Sequence, residues 1–410
     1  VRILFVNQFF YPDSVATAQL LGDVAGALAA WGHAVTVICG GETNARPAAP
    51  PPGVEVIRVA NRRFARETGS RLASYATFLS SATLAALRVQ RPDLVVTLTT
   101  PPFASVIGTL LKHAVKSIRH VIWEMDLYPD VAVDLGVVSR GSLVARILTR
   151  FADLQRRQAD GIIALGECMR DRLQSHGISP ERIHICENWA DSSVIRPLPL
   201  PAGGTLRILY SGNLGLAHDV ATIQEAMKKL NGDSRFQFIF CGNGPLRPAL
   251  ETFSTSHQLS NVAFHSHQPR ENLSAMLGTS HVGLVTQRAE CTGAVVPSKV
   301  YGLMAARRPY IFIGPRAATP ALLIERFGCG WHVEPHDANR VVSLLDRLSR
   351  TPQLVSRAGE RAHAAFAQNY DLPAGVARIA QVLGVTQPPP FAAAITEQER
   401  TQCIPSSSSY

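Results

Sequence analysis

Arg196 to Gly215 reads RPLPLPAGGTLRILYSGNLG, and this stretch decides how the chain is divided. Its first nine residues hold three prolines and two glycines, the composition of a linker. Leu206–Tyr210 is then a short apolar strand that runs into Gly212-Asn213-Leu214-Gly215 and a helical stretch over Val220–Leu230. Downstream the same alternation continues: strands at Phe236–Phe240, Val262–His265, His281–Thr286 and Pro309–Ile313, with helices at Pro245–Ser254 and Ser298–Ala306. Upstream lie strands at Val1–Val6, Ala34–Cys39, Leu94–Leu98, Val121–Met125 and Gly161–Leu165, separated by helical runs at Leu20–Trp31, Tyr75–Gln90 and Ala104–Ala114. Unbroken apolar strands separated by helices form parallel sheets covered on both faces. The expected fold is α/β: two Rossmann-like, doubly wound parallel-sheet domains facing a cleft. The expected division is 1–198 and 205–368, then a C-terminal helix over 369–386 packing back on the first domain, and a mobile tail over 387–410. Pro47–Pro52 is expected to be a surface loop.

Length agrees with two domains, because 410 residues exceed one ordinary domain. Hydrophobic residues at 46% and charged residues at 17% exclude a wholly disordered chain. The seven cysteines are scattered and form no CxxC pair, which disfavours a disulfide framework or structural zinc and favours a reducing cytoplasm. The chain opens on a strand with no basic-then-apolar leader, so no secretory signal is expected. No apolar run reaches the ~18–20 residues that span a bilayer. A net charge of +9 points to an anionic partner: a nucleotide phosphate, a lipid phosphate, an anionic membrane face or nucleic acid. Nucleic acid is disfavoured, since the chain carries no recognised binding motif.

In doubly wound sheets ligands sit outside the carboxyl ends of the strands, so residues just after strands are the candidates. The first strand leads into Asn7–Thr17, which is not GxGxxG, so a nicotinamide fold is disfavoured. There Ala16 and Thr17 open a helix whose amides can face an anion or a sugar, unless Asp13 or Ser14 merely caps it. Gly212, Asn213 and Gly215 form one glycine-rich turn after a strand, and Gly242, Asn243 and Gly244 a second on the same edge. Such turns let backbone approach a diphosphate, with the helix dipole assisting, although each could be a plain turn. Pro245 suits the following helix's first turn.

Glu290 to Pro309 carries the strongest signal. After a small-residue loop containing Gly293, Pro297-Ser298-Lys299 opens a helix. Ser298 can cap it. Lys299 in the first turn opposes the helix dipole at a cost of ~0.3–1 kcal/mol, which makes sense against a bound phosphate. In the first half, Glu124, Asp126 and Asp130 cluster at a strand end. With no histidine nearby, a metal site is disfavoured. Asp126 is read as a ligand of sugar hydroxyls or a general base, or structurally as a helix cap. Thr99-Thr100-Pro101-Pro102 ends a strand on the same edge, and Asn188 and Asp191 are read as bracing the hinge.

These phrases resemble retaining glycosyltransferases of the GT-B fold, family-4 type, in the flavour of bacterial surface-polysaccharide enzymes. The carriers are YPDSVATAQLLGDVAGALAAWGHAVTVI, WEMDLYPDVAVDLG, ICENWAD, YSGNLGLAHDV, FCGNGP and VPSKVYGLMAARRPYI, in the family's order over roughly residues 1–380. The resemblance implies that the second domain binds a nucleotide-diphosphate sugar and the first an acceptor, lipid-linked or saccharide. Gly242, Asn243 and Gly244 would lie near base and ribose, and Gly212, Asn213 and Gly215 near the diphosphate. Ser298 and Lys299 would contact the phosphates, and Asp126 the transferred sugar. Glu124, Glu290, Gly293, Pro297, Ala16 and Thr17 complete the expected substrate-binding set, with Asp126 and Lys299 catalytic. No cofactor or metal is implied. The anomeric configuration would be kept, the departing phosphate taking the acceptor's proton.

Four departures stand out. Ala294 and Gly302 occupy the places of the family's two glutamates, Met125 stands where many members have histidine, and GNLGLAHD carries only His218 where many have arginine. Two other functions remain in play: a sugar-nucleotide epimerase on the same fold, and a non-catalytic sugar-nucleotide-binding member. The basic residues Arg58, Arg62, Arg63, Arg66, Arg71, Arg140, Arg146, Arg150, Arg156 and Arg157 suit an anionic membrane face, with the protein peripheral at the inner face of the plasma membrane, or a solvated surface.

Overall fold

The computed structural model describes residues 1–13, 15–41, 49–61 and 68–386, with 68–72 as backbone only. The first domain holds β1 (Arg2–Val6), α1 (Ala16–Ala30), β2 (Ala34–Gly40), β3 (Val54–Val59), α2 (Thr68–Ala86), β4 (Leu94–Leu98), α3 (Ser105–Ala114), β5 (Arg119–Trp123), α4 (Asp130–Asp134), α5 (Leu143–Gln158), β6 (Gly161–Ala164), α6 (Glu167–Ser175) and β7 (Ile183–Ile185). The second holds β8 (Leu206–Ser211), α7 (Ala221–Lys229), β9 (Phe236–Cys241), α8 (Arg247–Ser256), β10 (Val262–His265), α9 (Leu273–Gly278), β11 (Val282–Thr286), α10 (Lys299–Ala305), β12 (Tyr310–Ile313), α11 (Thr319–Phe327), β13 (Gly330–Val333), α12 (Ala338–Arg350) and α13 (Pro352–Asn369). A last helix, α14 (Leu372–Leu383), follows.

Both sheets are parallel, ordered β3-β2-β1-β4-β5-β6-β7 and β10-β9-β8-β11-β12-β13. The order in which strands are added reverses between β1 and β4 in one sheet and between β8 and β11 in the other, with every strand still parallel. The loops after β1 and β8 therefore open at the crevices where such sheets bind ligands. Central strands such as β4 (LVVTL) and β11 (VGLVT) are buried at every residue, which is why they read as continuous apolar runs. Two apolar clusters cover the faces of each sheet.

The last helix belongs spatially to the first domain. α14 packs on α1, and its Val376, Ile379, Ala380 and Leu383 join the cluster built on β1, β5 and β6. Arg119 donates to the carbonyls of Leu383 (2.9 Å) and Val382 (2.7 Å), placing a cation at the negative end of the α14 dipole. Ala294 and Val296, from the second domain, enter the same cluster, so the domains share apolar contact at the cleft.

Several local expectations change. Helix α1 is preceded by Val15 with no side-chain cap, so Asp13 does not cap it, and Ser14 lies outside the described residues. Ser298 precedes α10 without a side-chain capping bond. Pro245 precedes α8, whose first turn holds Pro248 instead. Of Pro47–Pro52, residues 49–52 form a turn region leading into β3, and Pro47 and Ala48 lie outside the described residues, as does the tail over 387–410.

Candidate active site

The cleft between the domains encloses a cavity of about 840 Å³. The first domain contributes Ala16 and Thr17 at the start of α1, Asp126 after β5, and Asn188 after β7. The second contributes Gly212 and Asn213 after β8, Asn243 after β9, and Pro297, Ser298 and Lys299 at the start of α10.

Lys299 is the cation of this cavity. Its ammonium donates to the Tyr210 hydroxyl, lies 4.0 Å from the centre of the Tyr210 ring and reaches 3.5 Å to the Asn213 carbonyl. Among the described residues, no carboxylate lies within ion-pair distance of it. Burial lowers its pKa to about 7. Tyr210 in turn donates to Asn213 O at 2.8 Å, and desolvation keeps this phenol firmly protonated. His218 packs edge-on against the same ring at 5.6 Å, with Nδ1 2.7 Å from Thr286 O. Burial first, then the Lys299 charge, push its pKa down to about 3, so it stands neutral.

The two glycine-rich turns support each other. Gly242 has φ of +124°, and a Cβ there would fall 2.3 Å from Gly212 O. Any side chain at this position would drive the two turns apart. Leu214 N donates to Asn243 O at 2.7 Å, locking the turns together. Gly215, Gly242 and Gly244 thus shape the floor behind the cavity, while Gly212, Asn213 and Asn243 line it.

Asp126, from the first domain, lines the same cavity as Lys299. Its amide and that of Met125 donate to Thr99 Oγ1 (3.2 and 3.0 Å). It also forms a backbone bridge with Val295 of the second domain, and Leu127 N donates to Ala294 O at 2.9 Å. Burial, followed by the nearby Glu124 charge, raises the Asp126 pKa to about 6. Gln287 donates to the carbonyls of Cys291 (3.1 Å) and Val295 (2.9 Å), fixing the loop that makes this bridge. At Gly293, with φ of +75°, a Cβ would come 2.3 Å from Cys168 O of the first domain. That glycine serves domain apposition rather than ligand contact.

Like Gly293, the expected ligand residues Glu124 and Glu290 lie outside the cavity lining. Glu124 is buried behind the cleft, its Oε1 accepting from Arg156 Nε at 2.8 Å, with side-chain exposures of 2% and 4%. This pairing also takes Arg156 out of the proposed basic surface. Glu290 is exposed outside the cleft, with its carboxylate 3.5 Å from Arg288 and its carbonyl near Arg172 Nη1 (3.4 Å). Asp130 likewise turns away, to Arg172 (2.7 Å) and His176 (3.0 Å), whose bonds and charges hold its pKa at about 2. Asn188, read as a hinge brace, is 2% exposed on the cavity wall, and its Oδ1 has no partner among the described residues. An orphaned buried acceptor facing a cavity is a candidate ligand contact. Asp191 does meet the other domain, through Arg270 at 3.2 Å. Tyr210 and Gln287 carry no sequence signal of their own, and His218 shows only as a departure from the family's arginine. Among the described residues, no group of three or more His, Cys, Asp or Glu side chains gathers as a metal site.

Comparison with known proteins agrees with this geometry. A family described as "Glycosyl transferase 4-like domain" matches residues 17–189, and "Glycosyl transferases group 1" matches residues 195–365. The "Probable glycosyltransferase WbjE" of Pseudomonas aeruginosa is 25% identical over 323 residues, 75% of this chain and 80% of its own. The "Putative colanic acid biosynthesis glycosyl transferase WcaI" of Escherichia coli K12 is 25% identical over 382 residues, 84% of this chain and 91% of its own. The structure of Anabaena HepE in complex with UDP and glucose superposes with a TM-score of 0.70 at 15% identity, covering 94% of this chain and 100% of that one. With both matched regions in sequence and two doubly wound sheets facing a cleft, the chain belongs to the GT-B glycosyltransferases.

Proposed function

We propose that this glycosyltransferase moves a sugar from a nucleoside-diphosphate sugar to a lipid-linked or saccharide acceptor in polysaccharide assembly, with retention of anomeric configuration. The observation that carries the reading is Lys299. A half-buried ammonium with no carboxylate partner among the described residues sits against a glycine-rich turn, at the start of a helix, in the cavity between the domains. That arrangement suits a diphosphate, whose charge would raise the Lys299 pKa again. Uridine is the first base to test, since HepE is described with UDP.

In this reading the acceptor oxygen forms a bond to the anomeric carbon as the bond from that carbon to the diphosphate oxygen breaks. The acceptor's proton passes to the departing diphosphate. Lys299 and the amides of the Gly212 turn meet the charge that grows on the leaving group. Asp126, across the cleft, accepts bonds from hydroxyls of the transferred sugar. Asn188 Oδ1 offers a further acceptor on the same wall. With Lys299 supplying the cation, transfer proceeds without an added metal, and unchanged turnover in EDTA is the expected result. The described cysteines are all unpaired and buried, which supports a reducing, cytoplasmic setting. Among the described residues, no helix is long and apolar enough to cross a membrane.

Thermal unfolding with UDP, GDP, ADP and TDP, each beside a matched sugar diphosphate, tests the reading. A ligand at about a hundred times its Kd adds roughly 2.7 kcal/mol, a rise of roughly 2–4 °C per kcal/mol for domains of this size. A shift with one base identifies the donor class; no shift with any would count against transfer. The non-catalytic alternative draws on Ala294, which is fully buried and used for domain contact, and on Gly302, which leaves no side chain in the cleft. Donor binding without turnover across an acceptor panel would favour it.

A further inference from the structure

Helix α5 is built inside out. Its buried side holds Asp153, Gln155 and Arg156 beside Ala145 and Ala152, all hydrogen-bonded or packed into the first domain. Its outer side is apolar: Leu143 is 68% exposed, Val144 57%, Ile147 56%, Phe151 41% and Leu154 51%. A surface helix of a soluble domain ordinarily turns such residues inward. At about 100° per residue these five fall within an arc of about 100°. The exposed Arg146, Arg150 and Arg157 fall in a narrower arc directly beside it. The helix shows no carboxylate to solvent, because its one acid, Asp153, is buried against Arg156 and His176.

We infer that α5 is a docking face for an anionic lipid surface. An apolar stripe flanked by arginines is the pattern of a helix lying in a membrane interface, where the stripe enters the acyl boundary and the cations meet headgroup phosphates. A protein partner or a second copy would have to match the arginine stripe with carboxylates, and a lipid headgroup layer supplies that charge along the whole length. The neighbouring surface extends the face: Val137 in the turn before α5 is 65% exposed, and Leu110 on the adjoining α3 is 49% exposed.

The face also leads to the cleft. Phe151 packs against Phe103 with ring centres 5.6 Å apart. Phe103 lies just beyond the end of β4, where Thr99 accepts from the amides of Met125 and Asp126. A membrane held at α5 would present a lipid-borne acceptor from the Asp126 side of the cleft. This step deepens the transfer proposed above and rests on it for the acceptor; lipid binding itself does not.

The test uses the full chain with sedimentable vesicles of phosphatidylcholine alone or with roughly a third phosphatidylglycerol. Partition into anionic vesicles is expected to exceed that into neutral ones by at least about 10-fold and to fall as salt approaches about 1 M. The double variant Arg146→Gln, Arg150→Gln should lose about 30-fold in partition, at roughly a factor of five for each cation near the surface. The triple variant Leu143→Ser, Ile147→Ser, Leu154→Ser should lose vesicle binding while keeping its unfolding transition and any nucleotide-induced shift. Equal partition into both vesicle types would overturn the proposal. So would absence of vesicle binding together with a dimer in sedimentation that the triple variant dissociates. Vesicle binding with no nucleotide binding would strike the transferase reading and leave this one standing.

Discussion

The Lys299 ammonium sits over the face of the Tyr210 ring, 4.0 Å from its centre, and also donates to the hydroxyl of that residue. Tyr210 is the penultimate residue of the strand that opens the second domain, and Lys299 opens a helix 89 residues later. The pair ties the two chain segments that border the cleft, and it holds a cation in place by an aromatic face instead of a carboxylate. A cation held that way keeps its charge available to a ligand.

Lys299→Ala should lower kcat by about 10²–10³, the usual cost of removing one group that stabilises a developing oxyanion. The Tyr210 bond to Asn213 O survives the substitution, so the circular dichroism spectrum and unfolding midpoint should change little. Near-normal turnover would remove Lys299 from the mechanism.

Asp126, with its pKa raised to about 6, should give the pH profile an acid limb. Bonding to sugar hydroxyls needs the carboxylate, so kcat/KM should fall as pH drops through about 6. Asp126→Asn should lower activity and flatten that limb. A limb of unchanged shape in the variant would assign it to another group.

The Glu124–Arg156 pair behind the cleft is structural. Arg156 also donates to Tyr128 O at 3.0 Å, pinning the loop that presents Asp126. Arg156→Leu leaves an uncompensated buried carboxylate and should cost about 3–5 kcal/mol in urea unfolding. A change below about 1 kcal/mol would show that the pair is not buried in solution.

His176 lies between Asp130 and Asp153, whose hydrogen bonds raise its pKa from 6.5 to about 9. A group with a raised folded pKa contributes stability that is complete below about pH 6.5 and lost as pH rises through about 9. The melting temperature should therefore decline over that window, and His176→Gln should remove the decline. The Asp130 contribution runs the other way: its pKa is lowered to about 2, so it persists above about pH 4 and is lost as pH falls through about 2.

The sequence shows this architecture wherever burial is complete. β4 is read from a fully buried run, β8 from an apolar run broken only by Arg207, and the linker from its prolines. The short β7 (IHI) and β13 (GWHV) escape, since three or four residues of mixed polarity paired at a sheet edge carry no period. Lys299 is legible because a cation in a first helical turn opposes the dipole. Glu124 is misread because what decides its role is Arg156, 32 residues away on the buried side of an inverted helix. Glu290 sits on a short 3-10 turn outside the cleft, exposed beside Arg288, which spacing in the sequence does not show. Asn188 shows its orphaned acceptor only once the second domain closes the cavity around it.

The central claim is that the Lys299 ammonium receives the donor's diphosphate, and calorimetric titration of UDP into the wild type and Lys299→Met at pH 7 tests it most directly. The account predicts affinity at least about 10-fold weaker in the variant. It also predicts more proton uptake on binding to the wild type than to the variant, because the anion favours the charged form of a lysine whose pKa burial has lowered to about 7. Equal affinity in the two proteins would contradict it.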